Sequence, residues 1–411
     1  MKKVVLATAA LATAAAGIVV ARQVQEITGP QTLYWVSAST TSGILETGNT
    51  APPTTIGQAI SQTLPEPAPP GGVHTLTLEL GSKSTPPGPP LAAHRPPVGF
   101  NGGTSLALLQ PLAAQARPDK RQDPISRFRK ERPDGRVFLY WGCGEHAGAR
   151  QPLMIEFPYL TEPGYASNLK WVMQGMPLWA TNPPASAAWP TRGAWTSTRT
   201  PMSVAGSLVG NHEVQGNYTP DIDFSLTQDQ DFMAPIALDS RTRLPSGAID
   251  LHWSEVKGAK AFLATVIGSA GAKSLVIWTS SEPGPGGALA PPYIGNDDLQ
   301  RLTADNWLLP STSKSCTVPS EVVQALIHGG SASITAYGGD VDFAYPPRPS
   351  DPRIPWRIKW QAKIRYRSST TGRIGDAVEP AGRPDQKANA ISPRGRPHPT
   401  DAPLLVAGKG R

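Results

Sequence analysis

The chain has 411 residues and a formal net charge of +7, too dilute a positive charge for the dense basic surfaces that nucleic-acid binding requires. Its 45 prolines and 40 glycines exclude an architecture of long helices and favour short strands joined by turns. The 11 tryptophans supply too much apolar area for a wholly disordered polypeptide, so the expected fold class is mainly β.

Lys2 and Lys3 precede an uncharged run from Val4 to Ala21, the order of charge and apolar residues found in a secretory signal. Residues 1–21 are read as a signal peptide cut near Ala21, which sends the protein to the periplasm or out of the cell. The run is also nearly long enough to cross a bilayer, so an inner-membrane anchor through uncleaved residues 4–21 is the competing reading. No cysteine follows the run to carry a lipid.

Residues 22–240 are expected to form an N-terminal antiparallel β domain. Gln31 to Val36 reads as its first strand, and His74 to Leu80 alternates leucines with polar residues at the period of a half-buried strand. Three stretches, 51–72, 86–97 and 117–134, are rich in proline or charge and read as mobile insertions. Val137 to Trp141 is continuously apolar, as in a strand buried on both faces, and Leu153 to Phe157 reads as its partner. Asp221 to Thr227 alternates without a break.

A second module is expected over residues 241–371. Ile249, Leu251 and Trp253 alternate with Asp250, His252 and Ser254, a turn follows at Lys257-Gly258, and Ala261 to Ile267 and Leu275 to Trp278 continue as strands. Asp297 to Leu309 and Pro319 to His328 carry helical spacing, with Pro319 at a start and Gly329-Gly330 beyond an end. The stretch Leu251-His252-Trp253-Ser254-Glu255-Val256-Lys257-Gly258-Ala259 resembles the first tryptophan strand and turn of fibronectin type III and related immunoglobulin-like sandwiches. That likeness, over residues 241–281, implies an immunoglobulin-like β-sandwich and no particular activity. Residues 372–411 are poor in apolar side chains and read as a disordered tail.

The chain also resembles uncharacterised exported proteins of proteobacteria that carry the segment Tyr-Trp-Gly-Cys-Gly-Glu-His, here Tyr140 to His146, and a late Tyr-Pro-Pro-Arg-Pro, here Tyr345 to Pro349. This resemblance implies export and no activity.

Cys143 and Cys316 are the 2 cysteines. In an oxidising compartment they can form a disulfide, and otherwise they can serve as two buried thiols. Cys143 sits between glycines with His146 nearby, an arrangement that can activate a thiolate for nucleophilic or redox chemistry. The same glycines equally suit a bulge or tight turn at a strand end. Glu145 and His146 with His212 and Glu213 have the residue types of a mixed metal site but no ligand spacing that defends one. Asn217-Tyr218-Thr219 matches a glycosylation sequon, and Asp221 with Asp223 a carboxylate pair, yet turn and solvated-strand roles account for both.

From Trp356 to Arg367, Trp356, Ile358, Trp360, Ala362, Ile364 and Tyr366 alternate with Arg357, Lys359, Gln361, Lys363, Arg365 and Arg367. A strand would put the first set on one face and five cations on the other. Such a row either protects a sheet edge or binds an anion: a lipid head group, an acidic glycan or an acidic envelope protein. The expectation is a non-enzymatic binding or structural component of the cell envelope that needs no cofactor and no metal, with Arg357, Lys359, Lys363, Arg365 and Arg367 as its anion-binding residues. The alternative is a thiol-dependent envelope hydrolase or redox protein using Cys143 and His146.

Overall fold

The leucine alternation around His74 becomes a strand whose Leu76, Leu78 and Leu80 are almost wholly buried, as a period-two pattern on a pleated backbone demands. The computed structural model describes residues 25–45, 66–67, 71–110, 134–159, 188–197 and 202–375. All of them belong to one compact unit, Met1–Asp376. The expected signal peptide, most of the stretches 51–72 and 117–134, and the tail beyond residue 375 lie outside the described residues.

The fold is mainly β. Strands β1 (Ile27–Thr28), β2 (Thr32–Leu45), β3 (Glu66–Pro67), β4 (Val73–Ser82), β5 (Ala92–Arg95) and β6 (Leu106–Ala107) precede β7 (Arg136–Trp141) and β8 (Leu153–Glu156). Then come β9 (Thr191–Thr196), β10 (Met202–Ser203), β11 (Gly210–Gly216), β12 (Ile222–Leu226), β13 (Leu238–Arg243), β14 (Ile249–Trp253), β15 (Ala261–Gly271) and β16 (Ser274–Thr279). Helix α1 (Asn296–Ala304) leads into β17 (Leu309–Pro310) and β18 (Ser315–Val318), and α2 (Ser320–Ala325) into β19 (Gly330–Tyr345), β20 (Trp356–Arg357) and β21 (Trp360–Ile374).

A 12-stranded sheet forms the frame, running β10-β4-β2-β21-β19-β15-β16-β7-β8 along its main path. Most joints are antiparallel, but β2 lies parallel to β21 and β16 parallel to β7. Parallel neighbours need long crossovers, and these are what interleave distant parts of the chain. A 4-stranded sheet, β12-β11-β5-β6, and a 3-stranded sheet, β13-β14-β18, contribute to the same core cluster as the frame. Val214, Ile222, Phe224 and Leu226 come from the first, and Ile249, Leu251, Trp253 and Val318 from the second. They meet Val36, Leu78, Val266, Trp278, Ile334 and Ile364 of the frame. Each such side chain adds roughly 1.5–3 kcal/mol by leaving water.

The frame's other face carries separate clusters. Leu299 and Leu302 of α1 pack with Ala261, Leu263, Trp307 and Tyr337. Val137 and Leu139 form another with Leu153, Ile155 and Ile277, while Phe138 and Tyr140 point into the main core. Strand β7 is therefore apolar on both faces, as its unbroken apolar sequence requires, and β8 is its antiparallel partner.

Three expectations need correction. The boundary at residue 240 does not divide the molecule: β2, β4, β9 and β10 from before it share one sheet with β15, β16, β19 and β21 from after it. Local periodicity reveals strands but not their distant partners. The stretch 86–97 is not merely an insertion, because Ala92–Arg95 pairs with both β11 and β6; four residues flanked by prolines are too few to display an alternation. The tail begins later than residue 372, since β21 continues to a buried Ile374 paired with Gly330.

Candidate functional site

The Gly142–His146 segment leaves β7 as a clasp. Gly142 adopts φ 84°, a left-handed conformation that glycine enters without penalty, and its carbonyl accepts a hydrogen bond from Trp278 Nε1 at 2.9 Å. Cys143 is disulfide-bonded to Cys316 of β18, with 5.4 Å between their Cα atoms. The clasp thus ties the frame to the 3-stranded sheet. Cys143 carries no thiol with which to attack a substrate, so the pairing with His146 as a nucleophilic couple fails in this state. His146 Nδ1 lies 3.1 Å from Glu321 Oε1 and 3.4 Å from Ser320 Oγ. Both meet the same ring nitrogen, whereas a triad needs the acid and the nucleophile on opposite nitrogens. Burial opposes ionisation of Glu321, but donation from the Ala147 N–H and from His146 outweighs it and holds the carboxyl below its usual range.

His212 and Glu213 are not brought to Glu145 and His146. Adjacent positions on β11 point to opposite faces, so Glu213 turns outward to Arg95 at 3.6 Å while His212 turns into the core. Among the described residues no group of three or more His, Cys, Asp or Glu side chains is placed to hold a metal ion. Arg95, Asn211 and Glu213 line an open cleft of about 800 Å³ beside Pro97, Val98 and Asn101. Asn217 anchors a turn, donating from Nδ2 to the Pro89 carbonyl and accepting the Leu91 N–H. Asp221 and Asp223 are exposed, as a solvated strand face would have them.

Behind the cleft lies a polar chain that the sequence did not suggest. Tyr34, His94 and His212 are each at most 1 % exposed. His212 Nε2 is 2.7 Å from the Leu208 carbonyl, which can only accept, so that nitrogen carries the proton. Burial lowers the pKa of both imidazoles and keeps them neutral, which leaves His212 Nδ1 to accept from His94 Nε2–H at 3.2 Å. His94 Nδ1 then accepts from the Tyr34 hydroxyl at 2.9 Å. Isolated histidines in unrelated segments gave no signal for this pairing.

The cationic row of β21 keeps its expected alternation, with Trp360, Ala362, Ile364 and Tyr366 inside and Lys363, Arg365 and Arg367 on the face that also carries α1. Its neighbours transform it. Asp342 of β19 is the register partner of Lys363, and Asp340 that of Arg365. Lys363 Nζ donates to Asp340 at 2.6 Å and to Asp342 at 2.9 Å. Burial alone would lower the Lys363 pKa, but these hydrogen bonds and the two negative charges raise it instead. Asp340 also accepts the Asn296 N–H at 3.1 Å, which fixes the start of α1 beside the sheet.

Arg365 is sandwiched by aromatic rings, 4.7 Å from the Trp35 centroid and 4.6 Å from that of Tyr293. Arg367 lies 5.2 Å from Tyr293, and the two guanidinium groups donate to Ser37 and Ser39 of β2. These three cations are integrated into the fold.

Arg357 and Lys359 differ. They remain exposed at a corner where β20 pairs with β1 and the Tyr345–Pro349 segment folds back. Trp356 Nε1 donates to the Pro346 carbonyl at 2.9 Å, Arg348 lies 5.5 Å from the Trp356 ring, and Lys359 5.6 Å from the Tyr345 ring. Arg348 Nε donates to Gln25 Oε1 at 2.9 Å, and Gln25 Nε2 donates to the Ile354 carbonyl at the same distance.

Together these features define a disulfide-closed, mainly β protein in which the cations that remain exposed along the expected row lie at one corner. Comparison with known protein families, characterised proteins and solved structures finds no match.

Proposed function

We propose that this is an exported protein of the cell envelope that acts by binding an anionic partner rather than by catalysis. The observation that supports this most directly is the Cys143–Cys316 bridge. A disulfide persists in an oxidising compartment, in agreement with the leader-like order of Lys2, Lys3 and the apolar run after them. The bridge also occupies the one residue that had offered a nucleophile. Lys363, Arg365 and Arg367 support the sheet, and Arg357 and Lys359 are left to meet a partner.

Fractionation of a bacterial host making the full chain, with thiols trapped at lysis, tests this reading. The expected result is a periplasmic, secreted or membrane-held chain in which both cysteines resist alkylation until reduced. N-terminal sequencing separates cleavage near Ala21 from an uncleaved anchor. A cytoplasmic chain with two alkylated cysteines would overturn the proposal.

A further inference from the structure

Three large apolar side chains stand exposed on the corner built by β1, β20 and the end of β19: Ile27 at 53 %, Tyr345 at 47 % and Ile354 at 52 %. Intermediate residues join them. Ile27 is the register partner of Trp356, whose ring meets Arg348 and whose indole N–H holds the Pro346 carbonyl next to Tyr345. Gln25 binds the Ile354 carbonyl from the other side. The exposed cations Arg348 and Lys359 lie 5.5 Å from the Trp356 ring and 5.6 Å from the Tyr345 ring, the exposed Arg357 follows Trp356 on β20, and Glu26 is an exposed acid nearby, while Asp351 is already engaged by Arg353 at 2.7 Å. Apolar side chains ringed by cations match the boundary of an anionic bilayer, where phosphates meet the upper acyl chains.

Where the apolar run is kept as an anchor, the chain itself leads to such a boundary. The apolar run ends at Ala21, and Arg22, Gln23 and Val24 alone separate it from Gln25, a reach of roughly 13 Å at full extension. Gln25 is 8 % exposed and fixed by Arg348 and the Ile354 carbonyl, so no slack follows on the folded side. Gly29, at φ 108°, brings its backbone against Ile358, where an added Cβ would lie 2.3 Å from the carbonyl oxygen. The entry of the chain into the fold is thereby pinned to the corner.

We propose that this corner is the protein's membrane-contact surface, with Ile27, Tyr345 and Ile354 entering the interface of an anionic phospholipid bilayer and Arg348, Arg357 and Lys359 pairing with its phosphates. This rests on the envelope reading above and names its anionic partner as lipid.

The test uses the purified full chain carrying p-benzoylphenylalanine at position 27, 354 or 327, one at a time, on vesicles of phosphatidylglycerol with phosphatidylcholine and on phosphatidylcholine alone. Ile327 is an apolar control, 56 % exposed beside the start of β19, while Tyr345 ends that strand about 50 Å away. Photo-crosslinks to lipid are expected at 27 and 354, about tenfold above 327, and only with phosphatidylglycerol present. In the same assay the pair Arg357→Glu and Lys359→Glu should reduce them about tenfold while leaving the thermal midpoint in place. Equal labelling at all three positions, indifference to phosphatidylglycerol, or crosslinks to other copies of the chain in place of lipid would overturn the proposal. Because purified protein and vesicles are used, a failure of export would leave this result standing, and an exported chain without the crosslinks would sink the corner alone.

Discussion

His94 and His212, 118 positions apart in the chain, stand with Nε2 and Nδ1 3.2 Å apart in the core, linking β5 to β11 and, through the Tyr34 hydroxyl, to the frame. A protonated imidazole at either place would lose an acceptor and bury a charge. Burial, with His212 adding to it, pushes the His94 pKa down to about 3, and burial lowers that of His212 against the pull of the Leu208 carbonyl.

The sign of the pH effect follows. Below about pH 6.5 the unfolded chain takes up protons at these histidines that the folded chain refuses. Stability is therefore full above that pH and declines as the medium is acidified, by up to about 1.4 kcal/mol per pH unit for His94 down to about pH 3, with His212 adding to the decline in the same direction. Urea midpoints across this range should show the decline, and His94→Gln should flatten it. A wild-type midpoint that stays constant between about pH 7 and about pH 4 would contradict the assignment.

Lys363 sits between Asp340 and Asp342 with its side chain 17 % exposed. Lys363→Met is expected to cost about 2–4 kcal/mol, because two carboxylates then face each other without their cation. Adding Asp342→Asn should recover part of that loss. Arg357→Glu, on the exposed corner, should change stability by less than about 0.5 kcal/mol. Chemical denaturation of the four proteins decides it, and a neutral Lys363→Met would show that the lysine is no keystone.

Reduction of the Cys143–Cys316 bridge, or the pair Cys143→Ser and Cys316→Ser, should lower stability by about 2–4 kcal/mol, since the cross-link constrains an unfolded chain over a separation of 173 residues. Thermal melts with and without reductant report this. Indistinguishable melts would mean that the hydrogen bonds around Gly142 hold the clasp unaided.

Gly142→Ala tests those hydrogen bonds. At φ 84° a Cβ is strained, and it would lie 3.2 Å from Glu282 Oε2, the neighbour of the Oε1 that accepts the Cys143 N–H. A loss of about 1–2 kcal/mol is expected in urea titration. An alanine tolerated without cost would place the turn's conformation elsewhere.

The sequence by itself determined the mainly β character, the position of the two helices found among the described residues and the inner and outer faces of β4, β7, β12, β14 and β21. These follow from side-chain periodicity, which is a local property of the chain. Short strands such as β5 and β10 escaped it, because too few residues alternate. Tertiary structure alone decided the rest. The five cations from Arg357 to Arg367 looked unopposed because Asp340 and Asp342 sit some twenty positions upstream and reach Lys363 only through the β19–β21 register. The division of the chain at residue 240 dissolved for the same reason: β2 and β21 are more than 300 positions apart yet lie side by side. Pairing between distant strands depends on which buried faces fit together, and no local pattern of residues encodes that.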